Sequence, residues 1–355
     1  MAQSTLRVLL VRFSSIGDIL LTAPALPRTD DHHQASIELH FLTKRPFKGA
    51  ADLLPGVHRV HTIERSVHEV LPTLRSLQFH HVVDWHNNLR SWQLQWGMLG
   101  TGAQFSRLDK FRWRRAGLVL AGAVGNGIPH IVTRYAEATR TVRAAAGLPP
   151  WEATPWPTLN RPQDPAGGDS AGPAGRNGGG VVVGLALGAA HPLKRIPLEN
   201  LALALQSLPP NWRFVLLGGP GDRPAAADLL RRLPPALQSA TTDLTGSTSL
   251  PETAAWLRTT DVVLAGDTGL GHLTAALGVP LVTVWGCTRP SLGMTPWWPA
   301  QGSISLEPTG RGDRPCSRLG DRCRRGGPAD PCIRHVAPER IAAALLHAAR
   351  SPTRP

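Results

Sequence analysis

The feature that most constrains the fold is a repeated order of apolar strand, glycine-containing turn and helix. It first occurs at the start of the chain, where residues 6–11 predict a strand, residues 12–18 a polar turn and residues 19–26 a helix. It recurs at residues 261–277, where an apolar run leads through Gly266 into a helix predicted from Leu270 to Leu277. Strands that alternate with helices predict parallel sheets with right-handed crossover connections. The fold class predicted from this order is α/β.

Composition divides the chain into two halves that each show this order. Residues 161–180 are dominated by Gly, Pro, Ala, Asp and Ser and predict a flexible linker. We therefore expect an N-terminal Rossmann-like domain at 1–160 and a C-terminal one at 181–335, followed by a helix and tail at 336–355. Within them, residues 134–146 predict one helix, and residues 281–285 predict the last strand, before a loop-rich stretch at 286–335.

The chain of 355 residues has a formal net charge of +13, which favours anionic partners such as phosphates or acidic lipids, although it also serves solubility alone. Residues 110–115 combine basic and aromatic side chains, which fits either an anion-binding patch or a solvated helix start. No apolar run is long enough to span a membrane and no signal peptide is evident, so we expect a cytoplasmic protein. The cysteines Cys287, Cys316, Cys323 and Cys332 are expected to be reduced thiols. None forms Cys-x-x-Cys and the last three are spaced too widely for the usual zinc motif, so a structural role and a metal site both stay open for them.

The turn at residues 266–272, Gly-Asp-Thr-Gly-Leu-Gly-His, predicts an anion site, because a strand that leads into a helix leaves backbone N–H groups without partners. The usual dinucleotide motif with its acidic residue, the P-loop motif and the Gly-x-Ser-x-Gly motif of hydrolases do not occur. Asp18 fits a helix N-cap from its position alone, and also a catalytic carboxylate at the end of a strand.

Several segments resemble glycosyltransferase family 9, the ADP-heptose:lipopolysaccharide heptosyltransferases. The resemblance runs from residue 6 to about 346, apart from the linker. It rests on Phe-Ser-Ser-Ile-Gly-Asp-Ile at 13–19, Asn-Leu-Arg-Ser at 88–91, His-Ile-Val-Thr-Arg-Tyr at 130–135, Lys-Arg-Ile-Pro at 194–197, Asp-Leu-Thr-Gly at 243–246 and Asp-Thr-Gly-Leu-Gly-His-Leu at 267–273.

The resemblance implies the GT-B fold, in which two Rossmann-like domains with parallel sheets face each other across a cleft. It implies transfer of heptose from ADP-heptose, with inversion, to the Kdo or heptose of the lipopolysaccharide inner core. Asp18 matches the family's catalytic base, and Lys194 its phosphate-binding lysine. The run at 267–270 and the segment Thr-Arg-Pro-Ser-Leu-Gly at 288–293 favour the first heptosyltransferase type.

The remaining site residues follow from the same comparison and from their chemistry. Thr268, Gly269, Leu270 and Gly271 are expected to hold the donor diphosphate, and Asp267 the hydroxyl groups of the heptose. His272 either reaches the phosphate or packs, and Asp222 is the candidate for the nucleotide ribose. The candidates for acceptor binding are Ser14, Ser15, Gly17, Asn87, Asn88 and Arg90.

We expect no cofactor and no metal in the reaction, no nucleic-acid partner, and peripheral contact with the anionic inner face of the cytoplasmic membrane. Two alternatives stay open. One is a family-9 relative that uses another nucleotide sugar or acceptor, and the other is a non-catalytic nucleotide-binding protein of the envelope.

Overall fold

The computed structural model describes residues 5–28, 36–121, 127–160, 180–310, 312, 315–327 and 329–350. The predicted linker at 161–180 lies outside these residues except for Gly180. The chain divides into two compact units, Met1–Phe111 with Pro129–Arg161, and Arg112–Ile128 with Pro162–Pro355. No helix within the described ranges is both long and apolar enough to cross a membrane.

The first unit is built on a five-stranded parallel sheet in the order β3-β2-β1-β4-β5. Its strands are β1 (Thr5–Val11), β2 (Ser36–Lys44), β3 (Val57–Ile63), β4 (His81–Asp84) and β5 (Gln104–Arg107). The first seven helices of the chain are α1 (Ile16–Leu20), α2 (Lys48–Asp52), α3 (Leu71–Ser76), α4 (Leu89–Gly97), α5 (Arg112–Ala121), α6 (Ile131–Ala138) and α7 (Arg140–Ala145). The strand order reverses between β1 and β4, and ligands of open α/β sheets bind at the carboxyl end of such a pair.

The second unit contains a six-stranded parallel sheet in the order β11-β10-β9-β6-β7-β8. Its strands are β6 (Val182–Ala186), β7 (Arg213–Leu217), β8 (Thr241–Asp243), β9 (Val262–Gly266), β10 (Leu281–Val284) and β11 (Ile304–Leu306). Its further helices are α8 (Leu198–Gln206), α9 (Arg223–Arg232), α10 (Pro235–Ser239), α11 (Leu250–Arg258), α12 (Gly269–Ala276) and α13 (Pro338–Ala348). Here the order reverses between β6 and β9.

Apolar faces explain why these elements pack. Leu9, Val11 and Val82 of the first sheet are buried together with Leu94 of α4. Leu185, Leu264 and Val284 of the second sheet are buried with Ile341 and Leu345 of α13. Both faces of the central strands are buried, which is why those strands appear in the sequence as continuous apolar runs.

Three sequence expectations differ from the structure. The first helix spans Ile16–Leu20 rather than 19–26, because it starts in the polar turn and Pro24 lies in a separate 3-10 turn at Ala23–Ala25. The single helix predicted at 134–146 is two helices, α6 and α7, that meet at Thr139. The strand at 281–285 is followed by β11, which lies within the stretch predicted to be a loop.

Two segments are grouped differently from the domain boundaries that the sequence suggests. Helix α5 belongs to the second unit, where the Arg115 guanidinium contacts Met294 Sδ at 3.4 Å and the Arg318 carbonyl at 3.5 Å. Helix α13, which the sequence places in a separate terminal segment, contributes buried side chains to the core of the second unit.

Candidate functional site

In the first unit, polar groups collect at the carboxyl ends of β1 and β4. Ser15 is the N-cap of α1, and Asp18 is the third helical residue of the same turn. Asp18 Oδ2 accepts hydrogen bonds from the Ser15 backbone N–H at 3.1 Å and from Ser15 Oγ at 2.9 Å. Both bonds run from Ser15 to Asp18, the third helical residue of a capping-box arrangement, so the N-cap residue is Ser15 and not Asp18, and Asp18 completes the cap from inside the helix.

Arg12 makes this carboxylate unusual. Its Nη2 lies 2.8 Å from Asp18 Oδ2, while its Nε donates to the Ser14 carbonyl and its Nη1 to the Trp85 carbonyl, both at 2.7 Å. Burial opposes ionisation of Asp18, but the Arg12 charge and the hydrogen bonds from Ser15 outweigh it and lower the pKa of Asp18 to about 2. The second oxygen, Oδ1, is buried and has no hydrogen-bond partner among the described residues. Asp18 is thus an ionised carboxylate with one oxygen unused.

His86 lies beside this group and was not identified from the sequence. Its ring packs edge-on against Phe13, with 5.2 Å between the ring centroids. Burial, followed by the positive charges of Arg12 and Lys110, lowers the pKa of His86 to about 3, so the ring is neutral at pH 7. Its Nδ1 is buried without a hydrogen-bond partner within the described part of the chain.

The predicted acceptor residues hold the loops of this edge in place. The backbone N–H of Asn87 donates to Asp84 Oδ1 at 2.7 Å, and its side-chain amide to the Leu108 carbonyl at 2.9 Å. Asn88 is the N-cap of α4, and its side chain accepts from the Ser91 N–H. The Arg90 guanidinium lies 5.8 Å from the centroid of the Phe13 ring. The Ser14 carbonyl accepts from Arg12, Ser15 donates to Asp18, and Gly17 is buried in α1.

The second unit carries the other predicted group, at the carboxyl ends of β6 and β9. Lys194 Nζ lies 2.7 Å from Asp267 Oδ2, and Thr288 Oγ1 donates to the same oxygen at 2.9 Å. Both side chains of the ion pair are largely buried, with 18% and 12% exposed. The close approach depends on Gly266, because a Cβ there would lie 2.4 Å from the Lys194 carbonyl oxygen. Thr288 was not identified from the sequence.

Helix α12 begins at this ion pair. Thr268 is its N-cap residue, yet its side chain makes no capping bond, and its Oγ1 is buried without a partner among the described residues. Gly269, Leu270 and Gly271 form the first turn, and His272 follows on the same helix with a buried side chain. A free hydroxyl at the positive end of a helix dipole suits an anionic ligand.

Asp222, the candidate for ribose binding, has a local structural role at the end of β7. Its Oδ2 accepts from the Gly219 N–H at 2.9 Å, and a Cβ at Gly188 would lie 2.2 Å from the same oxygen. Its Oδ1 lies 3.8 Å from Arg195 Nη2.

The four cysteines lie close together in the second unit. All are free thiols, and the sulfur atoms of Cys287, Cys323 and Cys332 lie within 4.8 Å of one another. The sequence suggested a group of the last three cysteines, and the structure adds Cys287, which the fold brings from the end of β10.

Known proteins resemble this chain in sequence. Residues 67–319 match the profile of glycosyltransferase family 9 (heptosyltransferase). The lipooligosaccharide heptosyltransferase 2 of Haemophilus influenzae is 31% identical over 111 residues, which cover 31% of this chain and 32% of that protein. The lipopolysaccharide heptosyltransferase 2 of Escherichia coli is 32% identical over 100 residues, or 28% of this chain and 29% of that protein. The matched segments thus span only about a third of these relatives, whose names are of the second type, whereas the sequence analysis favoured the first type.

Solved structures support the fold. A glycosyl transferase of family 9 from Veillonella parvula superposes with a TM-score of 0.69 at 16% identity and covers 99% of both chains. The ADP-heptose lipopolysaccharide heptosyltransferase II of E. coli gives a TM-score of 0.67 at 18% identity, over 97% of this chain and 98% of that one. At this identity the likeness concerns the fold alone, and it confirms the predicted GT-B class with two parallel-sheet α/β domains.

Proposed function

This chain belongs to glycosyltransferase family 9, and from that premise we propose that it is an inverting heptosyltransferase. The donor is ADP-heptose, and the acceptor is the Kdo or heptose of the lipopolysaccharide inner core. The observation that carries this proposal is Asp18 at the switch point of the first sheet, an ionised carboxylate with one buried oxygen that no described residue hydrogen-bonds. Such an oxygen is a ready acceptor for the proton of an attacking hydroxyl group.

In this mechanism the acceptor hydroxyl attacks the anomeric carbon of the heptose. The new C–O bond forms as the bond between that carbon and the phosphate oxygen breaks, the proton passes to Asp18 Oδ1, and ADP leaves. Arg12 pairs with Oδ2 and keeps the carboxylate ionised, so we assign acceptance of the proton to Oδ1. A pKa of about 2 makes Asp18 a weak base in the ground state, so its contribution lies in position and in the stabilisation of the charge that develops on the acceptor oxygen.

The donor diphosphate gains negative charge as ADP leaves. We assign its stabilisation to Lys194, to the Thr268 hydroxyl and to the N–H groups of Gly269, Leu270 and Gly271. Asp267 receives the sugar hydroxyls, since a carboxylate beside the diphosphate would repel it. The ion pair between Lys194 and Asp267 then positions the lysine between the sugar and the phosphate.

His272 lies one turn further along α12, where its position allows contact with the phosphate. Lys194 and the helix dipole supply the positive charge that a metal ion supplies in other transferases, so we propose a reaction without metal or cofactor.

The acceptor is assigned to the first unit, around Ser14, Ser15, Gly17, Asn87, Asn88 and Arg90. Since Asn87 and Asn88 already position the loop after β4, we expect Arg90 to make the main contact with an acidic acceptor. The guanidinium suits carboxylate and phosphate groups because it donates in a planar fork.

An exposed apolar face on α4 supports membrane contact. Leu89 and Trp96 are 70% and 57% exposed and lie seven residues apart, on one face of the helix, and Leu99, which is 65% exposed, follows just after the end of α4. Trp92 lies on the same face, with the Arg107 guanidinium 3.6 Å from its ring centroid. Tryptophan and arginine together are typical of the membrane interface, so we propose that this face lies on the anionic inner surface of the cytoplasmic membrane.

The test of the reaction is mass spectrometry of a truncated inner-core acceptor after incubation with ADP-heptose. Addition of one heptose and release of ADP are expected, and UDP-sugars should give no product. Transfer from another nucleotide sugar would instead indicate a relative with different specificity. Binding of ADP without any turnover would indicate the non-catalytic alternative.

Membrane contact is tested separately by co-sedimentation with vesicles. The wild type should bind vesicles that contain phosphatidylglycerol more than pure phosphatidylcholine vesicles, and the double variant Trp96→Ser/Leu99→Ser should lose most of this binding. Leu203→Ser, which removes a leucine 54% exposed on α8 of the second unit, is the matched control. Equal binding by the double variant would contradict the assignment of this face.

A further inference from the structure

The sulfur atoms of four cysteines lie close together in the second unit, although the cysteines are far apart in the sequence. Cys287 follows β10, and Cys316, Cys323 and Cys332 come from the segment between β11 and α13. Cys332 Sγ lies 3.7 Å from Cys323 Sγ and 3.9 Å from Cys316 Sγ. All four are free thiols, and the separations are far longer than the bond of about 2.0 Å in a disulfide.

The separations of 3.7 and 3.9 Å match two edges of a coordination tetrahedron, and the sulfur atoms of Cys287, Cys323 and Cys332, all within 4.8 Å of one another, would form one of its faces. Cys316 lies beside Cys332, outside that group of three, in the position of the fourth ligand. With a metal–sulfur bond of about 2.3 Å, the sulfur atoms of a tetrahedral four-thiolate site lie about 3.8 Å apart. We propose that Cys287, Cys316, Cys323 and Cys332 bind one transition-metal ion that prefers four thiolates, with zinc as the expected occupant and iron as the other ion of that chemistry. The ion is structural, because all four ligand positions belong to the protein.

The backbone around the cluster suits negatively charged sulfur. The N–H groups of Arg325 and Gly326 hydrogen-bond to Cys323, and that of Arg324 to Cys316. Hydrogen bonds from outside the ligand shell orient metal ligands and offset their charge. The arginine side chains next to Cys323 add positive charge around a site that would carry two negative charges with zinc.

The segment that carries the last three cysteines is a long connection that a bound ion would stabilise. Between β11 and the 3-10 helix at Cys332–His335, the described residues contain no helix or strand. Connections of this length without secondary structure are uncommon in compact domains unless something fixes them. A metal ion that joins Cys316, Cys323 and Cys332 to Cys287 would close this loop onto the end of β10.

The cluster also supports the ion pair of the candidate donor site. Leu193 packs against the cysteines, and the next residue, Lys194, pairs with Asp267. Cys287 is followed by Thr288, whose hydroxyl donates to Asp267. Loss of the ion should therefore loosen both neighbours of Asp267, although the ion touches no reacting atom.

Elemental analysis of the full chain tests the site directly. Protein purified in reducing buffer should contain one zinc or iron ion per chain, and the analysis identifies which. Cys323→Ser and Cys332→Ser should each lose most of the ion. Leu319→Ala, which changes an exposed side chain in the same loop, should retain it. Full metal content in both cysteine variants would overturn the proposal.

A second measurement on the wild type covers the case in which the cysteine variants fail to fold. Metal-free protein titrated with Co²⁺ should develop the visible absorption of tetrahedral cobalt thiolate, saturating at one ion per chain. The thiols should resist alkylation with the ion bound and react after chelation. Absence of a stoichiometric ion after reconstitution, or a disulfide among these cysteines in mass spectra of the unreduced protein, would overturn the proposal.

Discussion

At the scale of single residues, Asp18 combines a structural role with the chemical role that we propose for it. Oδ2 completes the cap of α1 and pairs with Arg12, and Oδ1 has no hydrogen-bond partner within the ranges that the structure describes. The two functions do not compete, because they use different oxygens. A helix cap at a strand end thus fixes the position of this carboxylate, as the proposed proton transfer requires.

Asp18→Asn should abolish most of the transfer while the donor still binds. The amide retains the size of the side chain but does not accept the proton, so kcat should fall by roughly 10²- to 10⁴-fold, the usual contribution of a general base. Transfer rates and ADP affinity by calorimetry are the measurements, with Asp52→Asn, an exposed partner of Lys48, as the control. Retention of wild-type kcat would rule out Asp18 as the base.

Arg12→Gln should move the acidic limb of the pH profile upward. In the wild type the pKa of Asp18 is lowered from 3.8 to about 2, and without the Arg12 charge the effect of burial raises it. The pH dependence of kcat/KM in both proteins measures the shift, and Arg107→Gln, which removes an arginine paired with Asp84, is the control. An unchanged limb in Arg12→Gln would show that this arginine does not set the ionisation of Asp18.

The same pKa predicts a pH dependence of stability. The carboxylate of Asp18 stabilises the fold by about 2 kcal/mol above its unfolded pKa, and this contribution is lost as the pH falls through the folded pKa. The loss should thus occur between about pH 4 and pH 2 in the wild type. In Arg12→Gln most of this contribution should be missing at neutral pH, which chemical denaturation at several pH values measures.

At the scale of elements, the sequence predicts the buried strands well and the edge strands poorly. β1 and β9 lie where their apolar runs place them, because both faces of a central parallel strand are covered. β5 and β8 were not predicted, since they are short, polar and at the edges of their sheets. Helix α1 was misplaced because a helix of five residues leaves no periodic pattern.

The residues of the candidate site also differ in how well the sequence predicts them. Asp18, Lys194 and Asp267 are apparent from local motifs, whereas their partners come from other elements. His86 approaches Asp18 only because β1 and β4 are neighbours in the sheet. Cys287 joins the late cysteines for a similar reason, and sequence spacing alone does not reveal such contacts.

Thr268→Val should separate ligand binding from stability at the start of α12. The hydroxyl has no partner among the described residues, so its removal should leave the melting temperature unchanged or raise it. If the hydroxyl binds phosphate, ADP affinity should fall by about tenfold, the value of one hydrogen bond to a charged group. Thr274→Val, whose hydroxyl donates to the Leu270 carbonyl on the same helix, should instead lower stability and leave ADP affinity unchanged. Equal ADP affinity in Thr268→Val and wild type would remove Thr268 from the donor site.

At the scale of the whole molecule, the chain consists of two units that carry different halves of the proposed chemistry. The proton acceptor belongs to the first unit, and the cations and α12 belong to the second. In each unit the candidate residues lie at the carboxyl ends of the two strands between which the strand order reverses. The same feature of open α/β sheets therefore accounts for the position of Asp18 in the first unit and of Lys194 and Asp267 in the second. The comparison with solved structures extends over both units, in agreement with this division.

This division predicts where a nucleotide acts. ADP at saturating concentration should protect amides of the second unit from hydrogen exchange, at residues 191–195 and 266–273, and leave residues 12–18 of the first unit unchanged. At a concentration one hundred times its dissociation constant, ADP should add about 2.7 kcal/mol to the stability of the unit that binds it. In Lys194→Met the protection should weaken together with the affinity, while the exposed change Lys48→Met in the first unit serves as the control. Protection centred on residues 12–18 instead would place the nucleotide on the first unit and reverse the assignment of donor and acceptor.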